Sequence, residues 1–387
     1  MNVTFLTGEY PPMQGGIADY TANLVHHIQH QQISSSILIS RRWQEYDTDT
    51  LSLVYPVLSN WGWRLWWQVS KFLQKHPSDI LHIQYQAGAY ELKGGINWLP
   101  FYLKQWSNCP KIITTFHDLR IPYLFPKAGF LRWRAILALA RYSDAVITTN
   151  HEDMTTLQQY DLATHMHQIP LGNNIKVNPP SDYDRQAWRT KLGFSPKTFV
   201  LAYFGFLNES KGGKELINVL NQLIKRGIDA HLLMIGGKFG DSDPTNIAYA
   251  TQIESLIEKY NLSHHITFTG YADLSHVSAY LLSADAALLP YHDGVSFRRT
   301  TLIAMLKHGL PIISTKPTMP LPQIIPNKTM LLATAYDIRT LTESVMLLIH
   351  DDTLRKKLSI ESKLLGETFN WDMISQKTAD LYRKQAY

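Results

Sequence analysis

Four short stretches of this 387-residue chain place glycines or cationic, hydroxyl or imidazole side chains just after an apolar run. The first is Thr7-Gly8-Glu9-Tyr10-Pro11-Pro12-Met13-Gln14-Gly15-Gly16. Its glycine spacing is not G-x-G-x-x-G, and the loop is too long for that fingerprint, which argues against a dehydrogenase. Gly15-Gly16 either lets backbone approach a phosphate at a helix N-terminus or makes a plain turn. The second is Phe116-His117-Asp118. A His leaving a parallel strand points toward a ligand, unless Asp118 holds it as a structural group. His82 and Gln84 sit similarly one strand earlier, where the structural role is the stronger reading.

The third stretch runs from Phe204-Gly205-Phe206 through Asn208 to Lys211-Gly212-Gly213. It is not a Walker A loop, because no Ser or Thr follows the lysine. A Lys at a glycine-rich helix start is an anion ligand or a solvated side chain beside a cap. Gly236-Gly237 ends a further strand and lets a ligand come close to backbone. The fourth stretch is Leu289-Pro290-Tyr291-His292-Asp293-Gly294-Val295-Ser296-Phe297-Arg298-Arg299-Thr300-Thr301. Two Arg and the hydroxyls of Ser296, Thr300 and Thr301 before a helix suit a diphosphate; the alternative is surface charge.

The elements that must position these loops alternate along the chain. Strand candidates in the first half are Val3 to Thr7, Ser36 to Ser40, Ile80 to Gln84, Lys111 to Phe116 and Ala145 to Thr149, with helical patterns between them. Apolar runs alternating with helices mean parallel βαβ units and a doubly wound sheet. The polar, Pro- and Gly-punctuated stretch from Val177 reads as a linker over 177–196. Alternation then restarts, with strands Phe199 to Phe204, His231 to Ile235, Ile266 to Thr269, Ala286 to Leu289, Pro311 to Ser314 and Met330 to Ala333. The expected domains are 1–176 and 197–368, with 369–387 a helix crossing back onto the first. Two such α/β domains facing across a cleft bind ligands at the carboxyl ends of their strands.

Composition narrows the class. Hydrophobic residues make up 45% and charged residues 18%, which excludes a disordered or low-complexity chain. A single cysteine, Cys109, excludes an intrachain disulfide and a cysteine-based zinc site. The net charge of +5 is spread over the chain without a basic block, so nucleic acid is not the expected partner. No signal-peptide pattern and no apolar run long enough to span a bilayer appear, so a cytoplasmic protein, with or without membrane association, is expected. Trp61, Trp63, Trp66, Trp67 and Arg64, with Phe130-Leu131-Arg132-Trp133-Arg134, form aromatic and basic segments. They suit a lipid interface, or core packing and acceptor-site walls.

Taken together, the motifs resemble the family-4 glycosyltransferases of GT-B fold. The resemblance rests on Gly8-Glu9-Tyr10-Pro11-Pro12 with Gly15-Gly16-Ile17, on Phe116-His117-Asp118, and on Ile169-Pro170 with Gly172. Gly205 with Lys211-Gly212, Gly270-Tyr271, Gly309-Leu310-Pro311 and Phe369-Asn370-Trp371 extend it along nearly the whole chain. It implies sugar transfer from a nucleoside-diphosphate sugar with retention, to a glycan, lipid-linked or small-molecule acceptor, and no cofactor or essential metal. Lys211, Arg298, Arg299 and the Gly15-Gly16 backbone would hold the diphosphate. Gly205, Gly236, Gly270, Ser296 and Thr300 would complete the donor site. His117 would face the sugar, and Asp293 would bond its hydroxyls. The sequence departs from the family at Phe206, where Arg is usual, and at Ala304, where a Glu is expected. Those departures keep open a non-catalytic GT-B-like binding protein, or a phosphorylase or epimerase of the same fold.

Overall fold

The computed structural model describes residues 1–13, 15–41, 53–119, 129–236 and 244–386. They form two compact units, Met1–Asn174 with Asn370–Tyr387, and Ile175–Phe369. The first contains β1 (Asn2–Thr7), α1 (Gly16–Gln29), β2 (Ser34–Ser40), β3 (Leu53–Leu58), α2 (Arg64–Lys75), β4 (Ile80–Tyr85) and α3 (Gly95–Leu103). It continues with β5 (Lys111–Phe116), α4 (Gly129–Tyr142), β6 (Ala145–Thr148), α5 (His151–Gln158) and β7 (His165–Gln168). The strands make one parallel sheet in the order β3-β2-β1-β4-β5-β6-β7. Every residue of β4 is buried, as a central strand covered on both faces requires.

The second unit holds α6 (Arg185–Lys191), β8 (Phe199–Phe204), α7 (Gly213–Lys225), β9 (Ala230–Ile235), α8 (Pro244–Lys259), β10 (Ile266–Phe268) and α9 (Leu274–Ser283). Then come β11 (Ala286–Leu289), α10 (Thr300–Lys307), β12 (Ile312–Thr315), β13 (Leu331–Ala333), α11 (Ile338–His350) and α12 (Asp352–Glu367). Its sheet is also parallel, in the order β10-β9-β8-β11-β12-β13. In each sheet the winding reverses between the first strand and its later neighbour: β1 and β4, then β8 and β11. Loops leaving the carboxyl ends of such pairs splay apart and leave a crevice for ligand.

Two expectations need correction. The stretch 177–196 is not a free linker but belongs to the second unit and contains α6. Buried Arg189 fixes it, donating to the carbonyls of Ser283 (2.9 Å) and Thr198 (2.5 Å) and pairing with Asp285 at 3.1 Å. The first sheet also has two strands the sequence pattern did not mark. β3 carries Pro56 and β7 is polar, and both are tolerated because they are edge strands.

The closing helix α13 (Trp371–Ala386) packs against α1 in the first unit. Trp371 seats its indole over Gly172 and donates from Nε1 to the Asn173 carbonyl at 3.0 Å. A Cβ on Gly172 would lie inside that indole. Gly172→Ala should therefore displace Trp371 and cost about 2–4 kcal/mol. Chemical denaturation measures the loss, and limited proteolysis should cut near 370 sooner than in wild type; unchanged values for both would refute this seating.

Candidate active site

The switch point of the second sheet gathers most of the expected donor residues. The loop after β8 turns at Gly205, whose φ of +118° favours glycine. Asn208 then organises the turn: its Oδ1 accepts from the Lys211 amide (3.1 Å) and from Ser210 Oγ (2.9 Å). The turn sends Lys211 back along the loop, so that Nζ donates to the Phe206 carbonyl at 2.9 Å. The same carbonyl accepts from Tyr203 Oη at 3.1 Å, while the Phe206 ring lies open to solvent. Gly212 follows with φ +73°, and a Cβ there would overlap the Pro290 carbonyl. The loops after β8 and β11 therefore touch backbone to backbone. His292 N–H donating to the Ser210 carbonyl at 2.9 Å joins them again.

Arg298 and Arg299 have separate fates. Arg299 stands at the residue before α10 and lies over the Tyr291 ring, 3.9 Å from its centroid. It donates to the Gly294 carbonyl at 2.9 Å and is paired with Asp293. Its charge acts on Lys211: burial first and Arg299 second bring the Lys211 ammonium down to about 8. The backbone N–H of Arg298 instead donates to buried Ser296 Oγ at 3.4 Å. Thr300 opens α10. Ala304 is fully buried in it, so the carboxylate expected by resemblance has no equivalent at that point.

Neighbouring strand ends add glycine backbone. Gly205 N–H donates to the Ile235 carbonyl at 3.0 Å, and Gly236 bridges to Gly270. Gly205, Gly236 and Gly270 thus lie in a row across the carboxyl ends of β8, β9 and β10. Gly237 falls outside the described residues. The row, Lys211 and Arg299 form a half-buried, cationic surface with open backbone, suited to an anion.

In the first unit, His117 follows β5 and donates from Nε2 to Gln84 Oε1 at 2.9 Å. Gln84 Nε2 donates to His82 Nε2 at 3.2 Å, and Thr115 Oγ1 meets that nitrogen at 2.7 Å. His82 Nδ1 then donates to Tyr382 Oη, 2.5 Å away on α13. This chain ties both rings to α13. Burial keeps both rings neutral, bringing each down to about 3, with mutual repulsion a second cause at His82. Tyr20, on the first turns of α1, meets His117 edge-on at 4.7 Å. At His117 Nε2 the partner is Gln84. At Gly15 the Glu9 carboxylate lies in the space a Cβ would take, whereas Gly16 keeps open space. Burial, then Asp19, raises that Glu9 carboxyl. Sequence reading missed Asn208, Tyr291, Tyr20 and Tyr382; only Asn208, three residues before Lys211, carried a local signal, that of a cap.

Comparison with known proteins places this geometry. The Glycosyltransferase Family 4 model matches residues 14–176, and the Glycosyl transferases group 1 model matches residues 184–364. Two Rossmann-like units with an anion-suited switch point define a GT-B-type protein. The chain belongs to the family-4-like glycosyltransferases of GT-B fold. The putative glycosyltransferase EpsD of Bacillus subtilis is 27% identical over 214 residues, 54% of this chain and 52% of EpsD. The match thus spans about half of that relative's length. Sucrose-phosphate synthase from Thermosynechococcus elongatus superposes with a TM-score of 0.76 at 19% identity, covering 99% of this chain and 98% of that one. Anabaena HepE in complex with UDP gives 0.77 at 16% identity, covering 99% and 100%.

The neutral histidines carry a pH consequence. Their folded values lie below the unfolded value near 6.5, so the unfolded chain binds more protons between the two. The stability they contribute is complete above pH 6.5 and is lost as pH falls toward about 3. Unfolding near pH 5 should take up about two protons through these rings. Tyr382→Phe removes the acceptor of His82 Nδ1 and should cost about 1–3 kcal/mol at pH 7. Denaturation across pH 4–8, with His117 and His82 replaced in turn, measures both; a flat profile below pH 6.5 would sink the reading.

Proposed function

We propose that this protein transfers a hexosyl group from a nucleoside-diphosphate sugar to a glycan, lipid-linked or small-molecule acceptor, with retention at the anomeric carbon. The observation that carries the reading is the placing of Lys211 and Arg299 on the two loops that meet at the β8/β11 switch point, where Gly212 abuts the Pro290 carbonyl. Two like charges held together there gain most from a multiply charged anion, and a diphosphate beside α10 meets that need. The UDP complex of Anabaena HepE, a protein of the same fold, supports a nucleotide as the donor's handle. The acceptor class follows the family resemblance.

In the proposed reaction the bond from anomeric carbon to diphosphate oxygen breaks, and an acceptor oxygen bonds to the same face. The departing phosphate oxygen takes the acceptor's proton. Negative charge on the diphosphate grows as that bond lengthens. Lys211 and Arg299 therefore stabilise the transition state more than the bound donor. Asp293 fixes Arg299 in this role. The glycine row of the second unit supplies backbone donors, and the family resemblance assigns His117, neutral and held by Gln84, to a sugar hydroxyl.

Lys211→Ala should lower kcat about 10²–10³-fold. Arg299→Ala should be similarly severe, because its charge acts on Lys211, and Arg298→Ala milder. Steady-state rates with a panel of nucleotide sugars test this; normal kcat in Lys211→Ala would reject the assignment.

Donor binding should also depend on pH in a stated direction. Bound diphosphate raises the Lys211 value from about 8. Affinity is then flat below pH 8 and falls above it, by up to about tenfold per pH unit. Calorimetric titration of UDP near pH 8, in buffers of different ionisation enthalpy, should show uptake of about half a proton. No uptake, or the same uptake in Lys211→Ala, would count against the site.

A further inference from the structure

Helices α2, α3 and α4 of the first unit share an unusual composition. Their charged residues are Arg64, Lys71, Lys75, Arg132, Arg134 and Arg141, and none carries an Asp or Glu. Large apolar side chains face solvent on the same helices: Trp63, just before α2, is 61% exposed, Trp67 62%, Phe130 68% and Leu131 66%. Trp98 and Phe101 on α3 are exposed as well.

These side chains belong to one continuous face. Trp63 meets Trp66 edge-on at 4.9 Å, and Trp66 stacks on Tyr102 of α3 at 5.0 Å. Trp66 Nε1 also donates to the Gly95 carbonyl at 2.7 Å. Phe101 of α3 in turn meets Tyr142 of α4 at 4.9 Å. A groove of about 630 Å³, lined by Trp98, Leu131, Arg134 and Arg141 among others, joins α3 to α4. Cations and rings alternate within the face: Lys71 Nζ lies 5.1 Å from the Trp67 ring centre, and the Arg134 guanidinium 5.0 Å from that of Phe130.

We infer that this three-helix face docks on a bilayer surface carrying anionic headgroups. Exposed Trp, Phe and Leu lose water by entering the headgroup boundary. The long Lys and Arg stems bring their charges level with lipid phosphates. The absence of carboxylates from all three helices gives the face one sign of charge, which a negatively charged surface complements. No helix among the described residues is long and apolar enough to cross a membrane, and the contact inferred for this face is a peripheral one. Binding through this face is independent of the catalytic reading, because it uses none of the residues assigned to the donor.

Flotation of the full chain with phosphatidylcholine vesicles, with and without phosphatidylglycerol, tests the inference. Binding should require phosphatidylglycerol and weaken with added salt. Arg64→Glu with Lys71→Glu should weaken it roughly tenfold or more. Trp63→Ala with Trp67→Ala should weaken it at unchanged melting temperature, since both rings lie outside the core. Phe130→Ser with Leu131→Ser probes α4 separately. Three outcomes would overturn the inference: no vesicle binding, binding by all three double variants equal to wild type, or a wild-type dimer that Trp63→Ala dissociates while vesicles go unbound. None of these measurements reads sugar transfer, so a failed catalytic assignment leaves the result intact.

Discussion

Lys211 and Arg299 repel each other, and the second unit is arranged so that they stay together. Each comes from a loop on one side of the point where the sheet reverses its winding. Proximity therefore requires the two loops to touch, and Gly212 against the Pro290 carbonyl is that touch. The charge is managed locally. The Phe206 carbonyl holds the ammonium, while Asp293, the Gly294 carbonyl and the face of Tyr291 hold the guanidinium. Half-burial leaves Lys211 less willing to stay protonated than it would be in water. That cost is offset when an anion arrives, which is why an otherwise unfavourable arrangement fits a binding site.

The parts of this arrangement were unequally legible in the sequence. The buried strands stood out because β-branched and apolar runs are continuous when both faces are covered. Thr300–Lys307 is helical over the expected residues. Edge strands were harder, since β7 is His-Met-His-Gln and has no apolar signature. The stretch 177–196 was misread because its Pro, Gly and Asp residues resemble a linker. What makes it part of the second unit is Arg189 bonding to Ser283 and Asp285, more than ninety residues away. Pattern reading sees spacing, not such distant partners.

The same limit applies within the candidate site. Lys211 was visible because its partners lie within five residues. Arg298 and Arg299 were indistinguishable as neighbours, and only the placement of Asp293 and Tyr291 separates them. Glu9 beside Gly15 was written in the sequence six residues away, but its inward turn depends on how the Pro-rich loop folds. The link between His82 and Tyr382 joins residues 300 positions apart. No periodicity or motif announces a pair of that kind.

The discontinuity of the first unit bears on the order in which a ribosome delivers its parts. Residues 175–369 form an uninterrupted body, complete once they have emerged. The first unit, although begun earlier, lacks α13 until residues 371–386 are made. Trp371 must then settle over Gly172, and Tyr382 must reach His82. During synthesis the later unit can close its core first, while the earlier one waits with the α1 surface uncovered and the His82 ring without its tyrosine. The imidazole chain behind His117 is thus finished only by α13, so a chain stopped short of it has every loop of the candidate site but not the polar interior that supports one of them.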